Sequence, residues 1–312
     1  MRPIVRTGIF YHGPMNTREL AFRAVGRLSN ALNVFRPLMV RLRGEGRKSR
    51  GRFDKTGLVE GQRAVEILQF GEGVYLARYE SLAHSLWRSQ ELTLVQRHKD
   101  LLQRPLVDFG CGDGSFAAAI FDAVDFGLDN DPEALDLCRR RQVYRKVALV
   151  SNGIPLPTGE AGGVLANSVL EHTNDLDGTL REISRVTRQG GILILTVPIA
   201  GFARHLARFF GRREERRVNR EHHHRHLFEV EEWLGILENH GFEPFVKTQY
   251  QSAEFTFWYR ILRIAGKRGL GASSRIQNWL WNMAKPKMVE LVRSSVRGVS
   301  DGANVFIVAR KK

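Results

Sequence analysis

The stretch Leu-Val-Asp-Phe-Gly-Cys-Gly-Asp-Gly-Ser-Phe, residues 106–116, decides the fold of this chain. A short apolar run ends at Asp108 and predicts a strand. Three glycines then follow at alternate positions: Gly110, Gly112 and Gly114. Glycine tolerates backbone angles that other residues avoid and lets a ligand approach the main chain closely. The pattern therefore predicts a strand, a tight turn and a helix over 116–123, with N–H groups at the helix start that favour a polar or anionic ligand.

A second predicted strand, Phe126-Gly127-Leu128-Asp129, ends in a carboxylate. In nucleotide-binding folds an acid about 20 residues after the glycine turn accepts hydrogen bonds from ribose hydroxyls. The turn and Asp129 together predict a cofactor that contains a nucleoside. The glycine spacing differs from the dinucleotide fingerprint Gly-x-Gly-x-x-Gly, because here the third glycine comes one residue earlier.

The pattern Asp-x-Gly-x-Gly-x-Gly, from Asp108 to Gly114, resembles the first motif of class I S-adenosylmethionine-dependent methyltransferases. Four later segments resemble further motifs of that class, in the same order. They are the ribose motif at 129–132, the adenine segment at 151–157, the fourth-strand motif at 167–172, and the fifth helix and strand at 181–198. The resemblance covers residues 100–200, with a weaker continuation over 221–250.

This resemblance implies an α/β fold with a Rossmann-like, seven-stranded, mostly parallel sheet and helices on both faces. Helical additions extend the fold at its N-terminal and C-terminal sides. The implied cofactor is S-adenosylmethionine. The implied cofactor-binding residues are Asp108, Gly110, Cys111, Gly112, Gly114, Asp129, Asn130, Asn152, Gly153, Asn167 and Ser168.

Two positions depart from the pattern of the class. Asn152 stands where an acidic residue usually meets adenine, although an amide both donates and accepts hydrogen bonds. Ala161-Gly162 replaces the aromatic-acid pair that usually opens the fourth strand. Neither departure touches the glycine turn.

The net charge of +15 is concentrated outside the predicted core. Residues 1–60 carry a net charge of +9 and residues 201–312 carry +10, whereas residues 101–200 carry −4. Basic flanks attract anionic lipid, nucleic acid or an anionic metabolite. An anionic membrane surface is therefore one candidate partner, and RNA is another.

Cysteine content and hydropathy predict a cytoplasmic location, with peripheral attachment to the inner face of the membrane as a further hypothesis. The two cysteines, Cys111 and Cys138, have no metal or disulfide spacing. No stretch reaches the about 18 consecutive apolar residues of a membrane span. The first ten residues do not resemble a signal peptide.

We predict four parts along the chain. Residues 74–103 are predicted to be helical and to lead into the core. Between the last two strands lies a long insertion, whose aromatic and basic helices suit a membrane interface, a lid over a hydrophobic substrate, or simple packing on the core. The four parts are a basic N-terminal helical extension and linker at 1–73, the core at 74–250, a helical insertion at 251–302, and the final strand with a basic tail at 303–312.

Two histidines, His172 and His226, are the candidates for a general base. Glu171 and His172 follow a predicted strand, where open α/β sheets place ligands, although a solvent-facing pair is equally compatible. His226 ends the cluster His222-His223-His224-Arg225-His226, whose consecutive side chains diverge. We therefore predict no metal site, because zinc ligands must converge.

The leading hypothesis is a methyltransferase that acts on an O or N of a small or lipid-like acceptor. One alternative is an RNA methyltransferase that uses the basic flanks. Another is a non-catalytic, cofactor-binding scaffold on a membrane or partner.

Overall fold

Residues 65–79, 81–151, 153–267 and 274–312 are described by a computed structural model, and all of them belong to the unit Val59–Lys312. Residues 1–64 of the predicted N-terminal extension and linker lie outside the described residues, and so does Asn152.

The described chain begins with an antiparallel hairpin. Strand β1, Glu66–Phe70, pairs with β2, Val74–Arg78, across the short turn Gly71–Gly73. Helix α1, Leu82–His98, follows. The predicted helix over 74–103 is therefore correct for α1 and wrong for β2, because residues 74–78 pair with β1 across the glycine-bounded turn.

Seven further strands form one mixed sheet in the spatial order β5-β4-β3-β6-β7-β9-β8. All neighbours are parallel except β9, which is antiparallel to both β7 and β8. The predicted α/β, mostly parallel seven-stranded sheet is confirmed. The strands are β3 Leu106–Phe109, β4 Val124–Asp129, β5 Tyr144–Leu149, β6 Ala161–Asn167, β7 Thr187–Pro198, β8 Phe242–Tyr250 and β9 Asn304–Lys311.

Helices cover both faces of this sheet. The described helices after α1 are α2 Ser115–Ala118, α3 Pro132–Arg140, α4 Leu176–Val186, α5 Ala200–Phe210, α6 Arg212–Glu221, α7 Val230–Asn239, α8 Ala253–Lys267 and α9 Ser274–Ser295. The predicted helix over 116–123 is too long. It ends at Ala118 because the next amides bond three residues back, from Ala119 to Phe116 and from Ile120 to Ala117.

The alternation of side chains along β7 divides the core into two clusters. Ile192 and Ile194 belong to the cluster that includes buried residues of α1, α5, α8 and α9. Leu193 and Leu195 belong to the cluster that includes α4 and α7. Successive side chains of a strand point to opposite faces, so one apolar strand supports both layers.

The insertion between β8 and β9 packs on the first of these clusters. Phe255 of α8 is fully buried, whereas Trp279 and Met283 of α9 are exposed. Packing on the core, one of the three interpretations of the insertion, describes Phe255, whereas Trp279 and Met283 stay exposed. The buried stripe of α9 starts two residues later, at Trp281, and continues through Met288 and Val292. None of the described helices is both long and apolar enough to cross a membrane.

The unusual Ala161-Gly162 pair has a steric explanation. A Cβ on Gly162 would lie 2.6 Å from the carbonyl oxygen of Arg104. The Gly162 amide donates to the carbonyl of Pro105 at 2.9 Å. The segment that leads into β3 thus crosses directly over the start of β6, and a side chain at position 162 would block it.

Candidate functional site

The glycine turn joins β3 to α2 at the carboxyl edge of the parallel strands. Gly110, Gly112 and Gly114 have φ of +75°, +53° and +77°, in the left-handed region that favours glycine. The amides of Gly110 and Cys111 both donate to the carbonyl of Leu128, at 2.7 and 3.0 Å. These bonds fix the turn against the end of β4.

The glycines of the turn differ in what surrounds them. A Cβ on Gly110 would lie 2.3 Å from a methyl carbon of Val169, so this glycine allows close packing on the segment after β6. A Cβ on Gly114 would lie 2.9 Å from the ring of Tyr144. A Cβ on Gly112 would meet no atom within 4 Å. Gly112 is therefore the glycine whose backbone faces open space, as a ligand cradle requires.

Asp129 ends β4 beside this open position. Its Oδ2 accepts a hydrogen bond from the Gly112 amide at 2.7 Å, and its Oδ1 accepts one from the Asp131 amide at 3.0 Å. The carboxylate thus holds the turn while remaining half-buried. Asn130, the next residue, is exposed.

Asp108 lies beneath the turn and is buried. The hydroxyl of Tyr144 donates to its Oδ2 at 2.6 Å. Burial raises the pKa of Asp108 to about 6, against the opposing effect of the Tyr144 hydrogen bond. Asp108 thus holds Tyr144, whose ring lies beside Gly114 of the turn.

The side chain of Cys111 points into the protein. Its Sγ lies 3.6 Å from the Sγ of Cys138 on α3, and both thiols are buried and free. The hydrogen bond with Cys138 and burial together raise the pKa of the Cys111 thiol. Only the backbone of Cys111 belongs to the edge of the turn.

The predicted adenine segment is held by Glu182 of α4. The Ile154 amide donates to Oε2 of Glu182 at 2.8 Å. Gly153 has φ of +119°, and a Cβ there would lie 2.9 Å from the same carboxylate. The segment is fixed in place by an element that sequence reasoning did not connect with it.

The fourth-strand motif contacts a buried carboxylate that sequence reasoning missed. Asn167 donates to Oε2 of Glu91 at 3.1 Å, and the Ser168 hydroxyl donates to Oε1 at 2.6 Å. Trp87 and Arg88 also donate to Glu91, each at 2.7 Å. Glu91 therefore ties α1 to the end of β6, where Ser168 has a positive φ of +53°.

No sequence signal could have found Glu91. Its helix buries four closely spaced polar residues, Ser89, Gln90, Glu91 and Thr93, among apolar residues. An amphipathic pattern would have placed these residues on the solvent side. Only the packing of α1 on the sheet shows where they lie.

Glu171 lies on the short turn Leu170–His172 that follows β6. It is 1% exposed, and its Oε2 has no hydrogen-bond partner. The pKa of Glu171 is raised to about 8, mainly by burial and in smaller part by the nearby Glu91 carboxylate. Glu171 is thus mainly protonated at neutral pH.

The structure brings His172 and His226 to this same turn. His172 is partly exposed, and its Nε2 lies 3.6 Å from Oε1 of Glu171. Burial lowers the pKa of His172. The Nε2 of His226 lies 2.9 Å from the carbonyl oxygen of Thr173, so that ring is already engaged with the backbone.

His224 is a further histidine at the site, stacked on His172 with ring centroids 5.6 Å apart. Burial and the neighbouring His222 and His172 lower its pKa to about 3. The turn after β6 is thus bordered by neutral imidazoles. Within the described ranges, no group of three or more His, Cys, Asp or Glu side chains has a metal-binding arrangement.

A family model described as a methyltransferase domain matches residues 107–195, from the glycine turn to β7. Residues 107–195 therefore match a methyltransferase domain. The cofactor that such a domain implies is S-adenosylmethionine.

Curated relatives of this methyltransferase domain are similar over part of their length. A malonyl-acyl-carrier-protein O-methyltransferase of Serratia marcescens is 32% identical over 99 residues, which are 31% of this chain and 39% of the relative. One from Alcanivorax borkumensis is 27% identical over 185 residues, 56% of this chain and 60% of the relative. A tRNA (carboxymethyluridine(34)-5-O)-methyltransferase of Mus musculus is 26% identical over 125 residues, which are 39% of this chain and 18% of the relative. The chain thus spans less than two thirds of each of these relatives.

One solved structure, an S-adenosylmethionine-dependent methyltransferase from Thermotoga maritima, has a TM-score of 0.50 and 20% identity. The similarity covers 74% of this chain and 92% of that chain, and it shows the shared fold.

The residues present fit the cofactor of the methyltransferase domain. The open space at Gly112 gives the cofactor access to the main chain. Asp129 places a carboxylate at the adjoining strand end. Both features lie at the carboxyl edge of the strands, where open α/β sheets bind their ligands.

Proposed function

We propose that this protein transfers a methyl group from S-adenosylmethionine to an O or N of a small or lipid-like acceptor. The observation that carries the proposal is the juxtaposition of two features at one sheet edge. Gly112 faces open space beside Asp129, and the adjoining turn after β6 contributes Glu171 and His172. The first feature suits the cofactor, and the second suits the acceptor.

The glycine turn and the two strand ends bind and orient the reactants. When bound, S-adenosylmethionine supplies a methyl group that is open to in-line displacement. Asp129 accepts hydrogen bonds from the ribose hydroxyls in this proposal. Asn167 and Ser168, held by Glu91, contribute to the cofactor site from the end of the neighbouring strand. Orientation of this kind contributes about 7–11 kcal/mol to lowering a barrier.

His172 is the residue proposed to take the proton of a hydroxyl acceptor. It is partly exposed, and burial keeps its pKa below the usual value. The ring is therefore unprotonated at neutral pH and can accept a proton. Because Glu171 is mainly protonated there, no carboxylate charge next to His172 favours the imidazolium. His226 stabilises the same turn through Thr173.

The relatives suggest an acceptor that would not need this base. Two of them are named for a malonyl group, whose free carboxylate is already ionised at neutral pH. Replacement of His172 therefore separates two acceptor classes. A hydroxyl acceptor requires the base, whereas a carboxylate acceptor does not.

The test is methyl transfer to a panel of hydroxyl, amine and carboxylate acceptors, including malonyl-acyl-carrier protein, followed by mass spectrometry. We expect His172→Ala to slow transfer to a hydroxyl by about 10²–10⁴-fold. His240→Ala, at the opposite sheet edge beside Asp177, is the matched control and should leave the rate unchanged. Transfer to none of the three classes, by protein that binds S-adenosylhomocysteine, would contradict the proposal.

The other expected partners, an anionic membrane and RNA, rest on net charge. Trp279 and Met283 are exposed on α9. The geometry of the glycine turn and of the turn after β6 supports the small or lipid-like acceptor, which remains the proposal.

A further inference from the structure

Helix α6 carries a dense group of exposed arginines. Arg212, Arg216 and Arg220 follow one another at intervals of four residues, and Arg213 lies next to them. At 3.6 residues per turn, these four lie within about 100° of the helix circumference and extend over about 12 Å. We call this surface the arginine face. Arg208 and Arg225, which are also exposed, flank it.

The positive charge of the arginine face is not neutralised, because the nearby carboxylates pair with other residues. Its four arginines make no ion pair among the described residues. Glu214 accepts hydrogen bonds from Arg217 and, at 2.6 Å, from Nε of Arg260. Arg260 belongs to α8 and is fully buried. The hydrogen bond from Arg217, together with that from Arg260, lowers the pKa of Glu214 to about 2 against the opposing effect of burial.

The remaining acids of α6 also lie outside the arginine face. Glu215 accepts a hydrogen bond from Asn219 at 2.8 Å, and Glu221 lies 3.7 Å from Arg217. Val218 is buried on the side opposite the arginine face. The helix therefore has an inward side that joins it to the insertion and an outward side with four uncompensated cations.

The arginine face leads directly to the candidate site. The chain leaves α6 at His222, and the amides of Arg225 and His226 donate to the carbonyl of Glu171, at 2.8 and 3.4 Å. The ring of His224 stacks on that of His172. The arginine face thus ends directly before the segment 222–226, whose residues contact the turn after β6.

The chemistry of the face selects among polyanions. Insertion into a bilayer needs exposed apolar side chains, and the exposed large ones lie outside α5 and α6: Leu101, Leu149, Phe245, Trp279 and Met283. Single-stranded RNA needs aromatic platforms, yet Phe209 and Phe210 are only partly exposed and pack on Phe257. Guanidinium groups form bidentate pairs with carboxylates as well as phosphates. The four-residue repeat of these arginines matches the spacing of carboxylates on one face of a helix, and this favours a protein partner.

We propose that the arginine face is a docking surface for an acidic protein, which is held there next to the candidate site. The contact is with carboxylate side chains at the spacing of one helix, since the arginines repeat every four residues. The proposal concerns binding and does not depend on which acceptor is methylated.

Binding of poly-L-glutamate to the whole protein, measured by fluorescence anisotropy at two salt concentrations, tests this proposal. We expect Arg212→Ser/Arg216→Ser/Arg220→Ser to weaken binding about tenfold at low salt, because exposed ion pairs are individually weak but here act together. The matched control, Arg139→Ser/Arg140→Ser/Arg145→Ser, removes the same charge from exposed residues elsewhere and should bind within about twofold of the parent.

Binding of duplex RNA and of vesicles of phosphatidylglycerol and phosphatidylcholine is measured in parallel with poly-L-glutamate binding, at equal charge concentration. Tighter binding of either one, lost in the triple variant of α6, would overturn the proposal, as would unchanged poly-L-glutamate binding in that variant. Calorimetry with S-adenosylhomocysteine checks folding. Retained cofactor binding in the triple variant separates failure of docking from failure of the proposed methyl transfer.

Discussion

Gly112 and Gly190 share a backbone conformation but differ in position. Their φ angles are +53° and +73°, and a Cβ on either would meet no atom within 4 Å. Gly112 faces the candidate cofactor site, whereas Gly190 lies near the start of β7, at the other end of the sheet. Comparing substitutions at these two glycines therefore separates the effect of backbone strain from the effect of losing the binding surface.

We expect Gly112→Ala and Gly190→Ala each to destabilise the fold by about 1–2 kcal/mol, the cost of a left-handed angle for an L-residue. Only Gly112→Ala should weaken S-adenosylhomocysteine binding, by tenfold or more, or about 1.4 kcal/mol. Urea denaturation and calorimetry measure the two effects. Equal cofactor affinity in both variants would remove the assignment of the cofactor to this turn.

Glu171 makes stability depend on pH in an uncommon direction. Its pKa in the folded protein is about 8, above the usual value of 4.5, so between these values the folded state binds more protons than the unfolded state. The free energy of unfolding therefore falls as pH rises through this window. Glu171→Gln removes the effect, because an amide does not titrate.

We accordingly expect Glu171→Gln to gain stability relative to the parent as pH rises from about 5 to about 8. Urea denaturation at several pH values measures the difference between the two proteins. A difference that stays constant over this range would show that Glu171 titrates normally.

At the scale of elements, α1 is joined to the sheet by one carboxylate. Glu91 is fully buried and accepts four hydrogen bonds, two of them from the fourth-strand motif. Removal of one partner from a buried ion pair leaves the other charge uncompensated. In this case the remaining charge is that of Arg88.

Glu91→Gln should therefore cost about 3–5 kcal/mol of stability. Glu66→Gln, which breaks the exposed pair with Arg78, is the control and should cost at most about 1 kcal/mol. Urea denaturation compares them. Similar small losses in both variants would mean that α1 is held by apolar packing alone.

At the scale of the whole molecule, the insertion of α8 and α9 is part of the core. Phe255 is fully buried, with its ring centroid 6.2 Å from those of Trp87 and Tyr259. We expect Phe255→Ala to destabilise the protein by about 3–5 kcal/mol. Met283→Ala, on the exposed side of α9, should change stability by no more than about 0.5 kcal/mol.

Thermal and urea unfolding of these two variants decide whether the insertion unfolds with the core. A single transition that shifts in Phe255→Ala supports one cooperative unit. An early separate transition would show that the insertion is an independent layer.

The sequence by itself determined the sheet, the glycine turn and the order of the cofactor motifs. These features depend on local patterns: buried parallel strands are continuous apolar runs, and left-handed turn positions favour glycine. Asp129 could be placed for the same reason, since a residue that ends a parallel strand lies at the ligand-binding edge.

The tertiary structure alone decided which distant side chains meet at that edge. Glu91 reaches Asn167 and Ser168 across more than 70 positions of the chain, and Arg260 pairs with Glu214 across 46. Such contacts have no period in the sequence, because they depend on how α1 and α8 pack on the sheet. The same packing turned Trp279 outwards, buried Glu171 and left the arginine face without counter-charges, since burial and charge compensation are properties of neighbours in space.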